Sequence, residues 1–183
     1  MLRGWPSSDK GGTIDVMAII LQLTKRLSEA PRPVEVPGIR LRNYAGAQDI
    51  ETWLDLRRRA FAREKVGIGN WDAADFEREF LNKPWWRPGA MWLAEAQPVL
   101  MPSKVVATVT LARRGQLFDD KPVVHWLCVL PAYRRRGIGR FLLATLEAAV
   151  WDSGERQIWL ETHSGWREAL QLYQSLGYEP AAA

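Results

Sequence analysis

The sequence is poor in the residues that hold metals and make cross-links: 183 residues contain one cysteine, Cys128, and two histidines, His125 and His163. A single thiol excludes an intramolecular disulfide and any Cys-rich zinc site. Two histidines far apart in sequence give no ligand spacing, so no metal is expected. Long apolar runs are also missing. The longest near the N-terminus, Val16 to Leu21, follows Asp15 and is broken by Gln22; it is too short to cross a bilayer and makes a poor signal peptide. The chain is therefore read as cytoplasmic, with no membrane partner. Neither glycine (14) nor proline (11) is in excess, and with 47% hydrophobic and 25% charged residues disorder and collagen-like structure drop out. One domain is expected for this length.

Lysine is scarce as well, with 6 Lys against 19 Arg by direct count. At net charge +4 and a pI near 9.5 this favours arginine's planar fork, which suits phosphate or carboxylate. Ten tryptophans are the other excess, several beside proline or glycine, as core or as pocket lining. Residues 1–13 lack a hydrophobic period and read as a loose tail. Residues 14–28 suit a short helix or a strand, Met17 is a candidate native start, and Pro31, Pro33 and Pro37 mark a linker. This divides the chain into 1–37, tail and linker with room for one added strand or helix, and 38–183, the domain proper.

From Gly38 the pattern is regular. Ile39–Arg42 alternates as a strand, and 47–62 is an amphipathic helix in which Arg57, Arg58 and Arg59 read as a mostly solvated face with one long stem packed on the core. Asp72 caps a second helix through Asn82, with Phe76 and Phe80 on its buried face. After the turn-rich loop 83–89, the segments 91–96, 105–112 and 123–130 form an antiparallel meander. A helix over 137–152, a strand over 157–162 and a helix over 165–176 complete an α/β (α+β) chain without a repeat.

The most specific feature is Arg134-Arg135-Arg136-Gly137-Ile138-Gly139-Arg140, between a buried strand and a helix. Its glycines let the backbone turn tightly and approach a ligand, and the helix N-terminus offers N–H groups and a positive dipole end to phosphate. It is not a Walker A loop, since no Gly-Lys-Ser/Thr follows. Nor is it a dinucleotide fingerprint, because Leu142 stands at the third glycine.

Arg134, Gly137 and Gly139 fill R/Q-x-x-G-x-G/A, the hallmark of the GNAT superfamily of N-acetyltransferases, which the sequence resembles over residues 38–180. The lead-in 127–133 (LCVLPAY) and the segment 169–178 (ALQLYQSLGY) resemble that family's strand-to-loop entry and last-helix motif. The resemblance implies a single-domain GNAT-like fold, a central mostly antiparallel mixed sheet flanked by helices. It implies acetyl-CoA as acetyl donor, no metal, an amine acceptor, and allows a homodimer. Residues Arg134, Arg135, Arg136, Gly137, Ile138, Gly139 and Arg140 would hold pyrophosphate, and the strand backbone over Leu127, Cys128 and Val129 the pantetheine arm, with N–H groups near Val129 as oxyanion donors. Little chain follows Tyr178 for the usual terminal strand, a gap that Ile14 to Leu23 can fill.

Acetyl transfer to an amine needs a neutral nucleophile, oxyanion stabilisation and a proton for the departing thiolate. Tyr173 occupies the place of the family's thiolate-protonating tyrosine, although its helical face also suits core. His125 is the candidate base, since imidazole titrates near neutrality; alternation puts it on one face with Val123, Leu127 and Val129, and a core histidine is the plain alternative. His163 is a weaker candidate, and Cys128 reads as packing. Where the family commonly has asparagine, this chain has Trp166. The acceptor wall is expected at Arg63 to Trp71 and Pro84 to Trp92, with Trp85, Trp86 and Trp92 as an aromatic pocket or a sheet cover, and Glu64, Asp72 and Asp75 as amine attractors or surface charge. The leading expectation is an acetyl-CoA-dependent transferase moving acetyl to a primary amine of a small molecule or protein terminus by direct attack. The alternative is a non-catalytic acyl-CoA-binding or regulatory module. A nucleic-acid partner is not expected, as no helix-turn-helix, RRM or zinc pattern occurs.

Overall fold

Alternating and β-branched segments pair in the computed structural model, which describes residues 19–62, 70–97, 102–114 and 120–181. The tail, Met17, and residues 63–69 of the expected acceptor wall, Glu64 included, lie outside the described residues. Strands β2 (Ile39–Asn43), β3 (Met91–Ala96), β4 (Lys104–Arg114) and β5 (Lys121–Val129) form the antiparallel meander. Strand β6 (Gln157–His163) pairs parallel to β5, and β1 (Ile20–Arg26) pairs antiparallel to β6. The two-residue β7 (Glu179–Pro180) joins the outer side of β1, giving the order β2-β3-β4-β5-β6-β1-β7. The mixed, mostly antiparallel sheet flanked by helices is the architecture expected from sequence.

Two cores lie on the sheet, and alternation along β3 separates them. Trp92 and Ala94 face the side of helix α3 (Ile138–Asp152). There Leu142, Leu143, Leu146 and Val150, all at 0% exposure, pack with Val106, Ala107 and Val109 of β4 and Ile158 and Leu160 of β6. Truncating one of these leucines to alanine costs about 2–5 kcal/mol. Met91 and Leu93 face the other side, where helices α1 (Gln48–Ala60) and α2 (Ala73–Phe76) deliver Trp53, Leu54 and Phe76. Helix α4 (Arg167–Ser175) follows β6.

Polar clusters tie elements together at the margins. Arg42 of β2 makes a bidentate pair with Asp49 at the start of α1 (2.7 Å each) and reaches Glu95 of β3 at 2.6 Å. Burial alone would push the Asp49 carboxyl up; the Arg42 bond and the Ala45 N–H override it and hold it below the ordinary value. Asp72 and Asp75 form a capping box that starts α2 as the sequence implies. After Phe76 the helix widens into a π-helical turn, Glu77–Leu81, in which the Asn82 N–H reaches the Glu77 carbonyl at 2.8 Å. Lys25 of β1 meets the buried Glu147 of α3 at 2.7 Å, and the Tyr178 hydroxyl donates to the same carboxylate at 2.9 Å.

Candidate active site

Strands β5 and β6 are paired only at Val123–Trp159 and Val124–Leu160. Beyond these pairs the strands part. A cleft of about 860 Å³ opens there, between Leu127–Val129, the arginine-glycine loop and α4. Backbone groups on that edge of β5 are available to an extended ligand lying as an added strand.

At the end of β5 the chain makes a 3-10 turn, Pro131–Tyr133, then adopts left-handed backbone at Arg135 (φ 62°) and Gly137 (φ 84°) before α3 begins at Ile138. Alternating left-handed residues turn successive N–H groups into one concavity, and the first-turn amides of α3 have no partner within the helix. The first recorded bond back is Phe141 N–H to the Gly137 carbonyl, at 2.9 Å. Gly139 serves a different purpose. A Cβ there would lie 3.2 Å from Leu172 Cδ2 and 3.8 Å from Val129 Cγ2, so α3, α4 and β5 converge where a side chain would fit only with a shift of Leu172.

The resemblance groups residues 134–140 as one anion-binding set, but the side chains divide. The Arg134 guanidinium donates to the Val129 carbonyl (3.1 Å), the Ala60 carbonyl (2.8 Å) and Glu168 (3.3 Å). It fastens the loop to β5, α1 and α4. Arg136 lies over the Tyr133 ring at 5.2 Å and Arg140 donates to Ser175 Oγ at 3.1 Å. With Arg135 these two are exposed and supply positive charge at the cleft mouth.

Tyr173 of α4 lines the cleft and stacks edge-on with Tyr178 at 5.7 Å. Burial, with Cys128 nearby, raises its phenol above the ordinary value of about 10. The thiol of Cys128 is pushed up to about 12 by burial, which makes it packing and not a nucleophile.

His125 corrects an expectation. Register places it opposite Thr110, and Cys128 opposite Thr108, so β5 carries one extra residue between these pairs; Trp126 there has φ 51°. This bulge flips the alternation. His125 shares a face with Cys128, toward α1 and α2, while Val129 turns to the α3 side with Gly139. The imidazole is nearly buried among Phe80, Trp85 and Trp126, with Nε2 2.7 Å from Glu79 Oε1. Tyr173 therefore stands with the cleft loop, and His125 belongs to the adjoining aromatic cluster.

That cluster gathers Trp53, Arg57, Trp71 and Trp126. Arg57 is not part of a solvated face: it is buried, with its guanidinium 4.2 Å from the Trp71 ring and 4.8 Å from Trp126, and burial draws its pKa down to about 10. Trp53 touches Trp71, Phe76, Phe80 and Trp126 with ring centroids 5.0 to 5.9 Å apart. Trp85 and Trp86 pack on this side, whereas Trp92 packs against the core on the α3 side. Asp72 and Asp75 cap each other. Trp166 stands at the start of α4 with its ring 5.4 Å from Phe61, both lining the cleft, and His163 accepts from the Gly165 N–H at 3.3 Å.

A family model described as an acetyltransferase (GNAT) domain matches residues 87–180. The chain is 33% identical over 153 residues to mycothiol acetyltransferase of Thermobispora bispora, covering 81% of this chain and 49% of that protein. It spans about half the length of the curated relatives it matches. Among solved structures, the GCN5-related N-acetyltransferase from Sphaerobacter thermophilus is similar with TM-score 0.71 at 20% identity, over 88% of this chain and 48% of that one. Aminoglycoside N-acetyltransferase AAC(6')-Iy in complex with CoA is similar with TM-score 0.58 at 20% identity, over 83% and 94%.

Proposed function

The chain belongs to the GNAT acetyltransferase family, and on that premise we propose that it moves the acetyl group of acetyl-CoA to a primary amine of a small molecule or protein terminus by direct attack. The observation that carries this reading is the junction of an open β5 edge with a concave, amide-rich loop at the start of α3. Its residues fit the donor: Gly139 lets α3 approach α4 and β5 closely, and Arg135, Arg136 and Arg140 leave positive charge at the mouth.

Bound acetyl-CoA supplies the activated acetyl group. The N–H groups of residues 135–140 hold its pyrophosphate, the backbone of Leu127, Cys128 and Val129 orients the pantetheine arm, and an N–H near Val129 steadies negative charge on the thioester oxygen. His125 takes the proton of the attacking amine. Tyr173 Oη donates a proton to the departing thiolate sulfur, a role supported by its place in the cleft and by a burial that keeps the phenol protonated at neutral pH. The aromatic cluster around His125 desolvates the amine side and favours its neutral form. The same reading places the enzyme in the cytoplasm with its donor.

The test pairs acetyl-CoA calorimetry with thiol release against amines. Mycothiol-related amines and aminoglycosides come first, given the relatives' names, followed by polyamines, arylalkylamines, amino acids and peptides. Binding with amine-stimulated release establishes the transferase. Absence of acetyl-CoA binding overturns the reading at its root.

A further inference from the structure

We infer that Glu79, carried on the π-helical turn Glu77–Leu81, is a positioning residue that fixes the orientation and tautomer of His125. This rests on the reading of His125 as the base. The carboxylate accepts and cannot donate, so its 2.7 Å contact places a proton on Nε2 and the basic lone pair of the neutral ring on Nδ1. A partner on one ring nitrogen selects the function of the other.

The contact is prepared by packing on both sides. Phe80, the next residue after Glu79, is fully buried, with its ring 5.0 Å from Trp53 and 5.7 Å from His125. Phe76, one turn earlier, is also fully buried and 5.2 Å from Trp53. The widened turn lies between these two phenylalanine anchors, so Glu79 is delivered by a segment that cannot rotate without unseating them. On the other side, His125 pairs with Thr110, itself paired with Met91 of the α1/α2 core, so it faces α2, and the β5 bulge brings Cys128 to the same face. Without the extra residue at Trp126, Cys128 would take the opposite face from His125. With it, the imidazole and the rear of the cleft share one side of the sheet.

Among the described residues, charged and titratable groups around the ring come from three elements. Glu79 belongs to the π-helical turn. Arg57 of α1 lies over Trp126 and is electrostatically coupled to Glu79, Asp75 and Cys128. Cys128 follows on the same face of β5 and is held neutral by burial. Among these, Glu79 is the anion in hydrogen-bond contact with the ring. A carboxylate in that contact favours a protonated ring over a neutral one, so removing its charge is expected to move the acid limb of kcat/KM to lower pH.

The experiment uses the full chain, ¹⁵N-labelled at histidine, with Glu79→Gln and Glu79→Asp beside wild type and His163→Gln to assign the two imidazoles. Long-range ¹H–¹⁵N NMR reads tautomer and titration; kcat/KM against pH reads function with the amine found by thiol release. The inference expects Nε2–H in wild type and, in Glu79→Gln, loss of that preference with a His125 midpoint lower by about one unit. It also expects an acid limb moved down by a similar amount and kcat reduced about tenfold, with acetyl-CoA affinity kept. Glu79→Asp keeps the charge and should hold the limb near wild type while kcat falls, which keeps the test decisive if the glutamine variant is unstable. Unchanged tautomer and titration in folded variants overturn the inference even if His125→Gln is inactive. A moved tautomer with an unmoved pH profile overturns the role in turnover. A fully active His125→Gln instead defeats the base reading, an outcome separable because the NMR of Glu79→Gln does not depend on turnover.

Discussion

The cofactor side and the acceptor side of the proposed site are built by opposite means. The cofactor side is mostly backbone: a parted strand edge, a turn with left-handed residues at 135 and 137, and a glycine where a Cβ would lie 3.2 Å from Leu172. The acceptor side is mostly large side chains, Trp53, Trp71, Phe80, Trp85 and Trp126, enclosing Arg57, Glu79 and His125. Backbone recognises what every donor carries, a diphosphate and an amide chain. Side chains are free to be replaced, so under the proposed function the aromatic half is where acceptor identity would be set.

Substitutions in the two halves should separate affinity from rate. The largest effect is expected from His125→Gln, which lowers kcat/KM for the amine by about two to three orders of magnitude while calorimetry finds acetyl-CoA affinity unchanged. A parallel loss of cofactor affinity would erase the division. Tyr173→Phe should reduce kcat by about ten- to a hundredfold with cofactor binding kept. Because burial raises this phenol, its ionisation should produce no fall in rate below pH ~10.

On the backbone side, Gly137→Ala places a Cβ at φ 84° and should weaken acetyl-CoA binding about tenfold, with kcat retained at saturation. Arg134→Met should act on stability, by about 1–3 kcal/mol through its lost bonds to the Val129 and Ala60 carbonyls. Thermal melting reads that effect. The salt dependence of acetyl-CoA binding should stay as in wild type, and a reduced slope would return Arg134 to the phosphate. The smallest effect belongs to Cys128→Ala, within about threefold in rate. The native thiol, pushed up to about 12, should resist alkylation at neutral pH.

The same contrast explains what could be read from sequence. The loop 134–140 is contiguous, so glycine spacing and helix onset exposed it, and the meander of β3, β4 and β5 followed from local alternation and turn residues. His125 was visible as a residue, but not its orientation, because one inserted residue at Trp126 reverses every later face and leaves no compositional mark. Arg57 looked solvated because it adjoins Arg58 and Arg59; only Trp71 and Trp126, from a distant loop and strand, bring it inside. Glu79 had no signal beyond its place before Phe80, since the π-helical turn that presents it is decided by tertiary packing. Arg134 matched its motif position, but the carbonyls it binds lie five and seventy-four positions away.

The insertion of β1 between β6 and β7 has a kinetic meaning. Ile20 pairs with His163 and Arg26 with Gln157, so the strand made early must wait until nearly the whole domain has left the ribosome before it finds its place. Loop closure over that separation is slow relative to the local meander, and the sheet is expected to assemble with this seam last. Until then one edge of β6 stays open in the nascent chain, and the β1 ladder, with the Lys25–Glu147 pair beside it, ends that exposure.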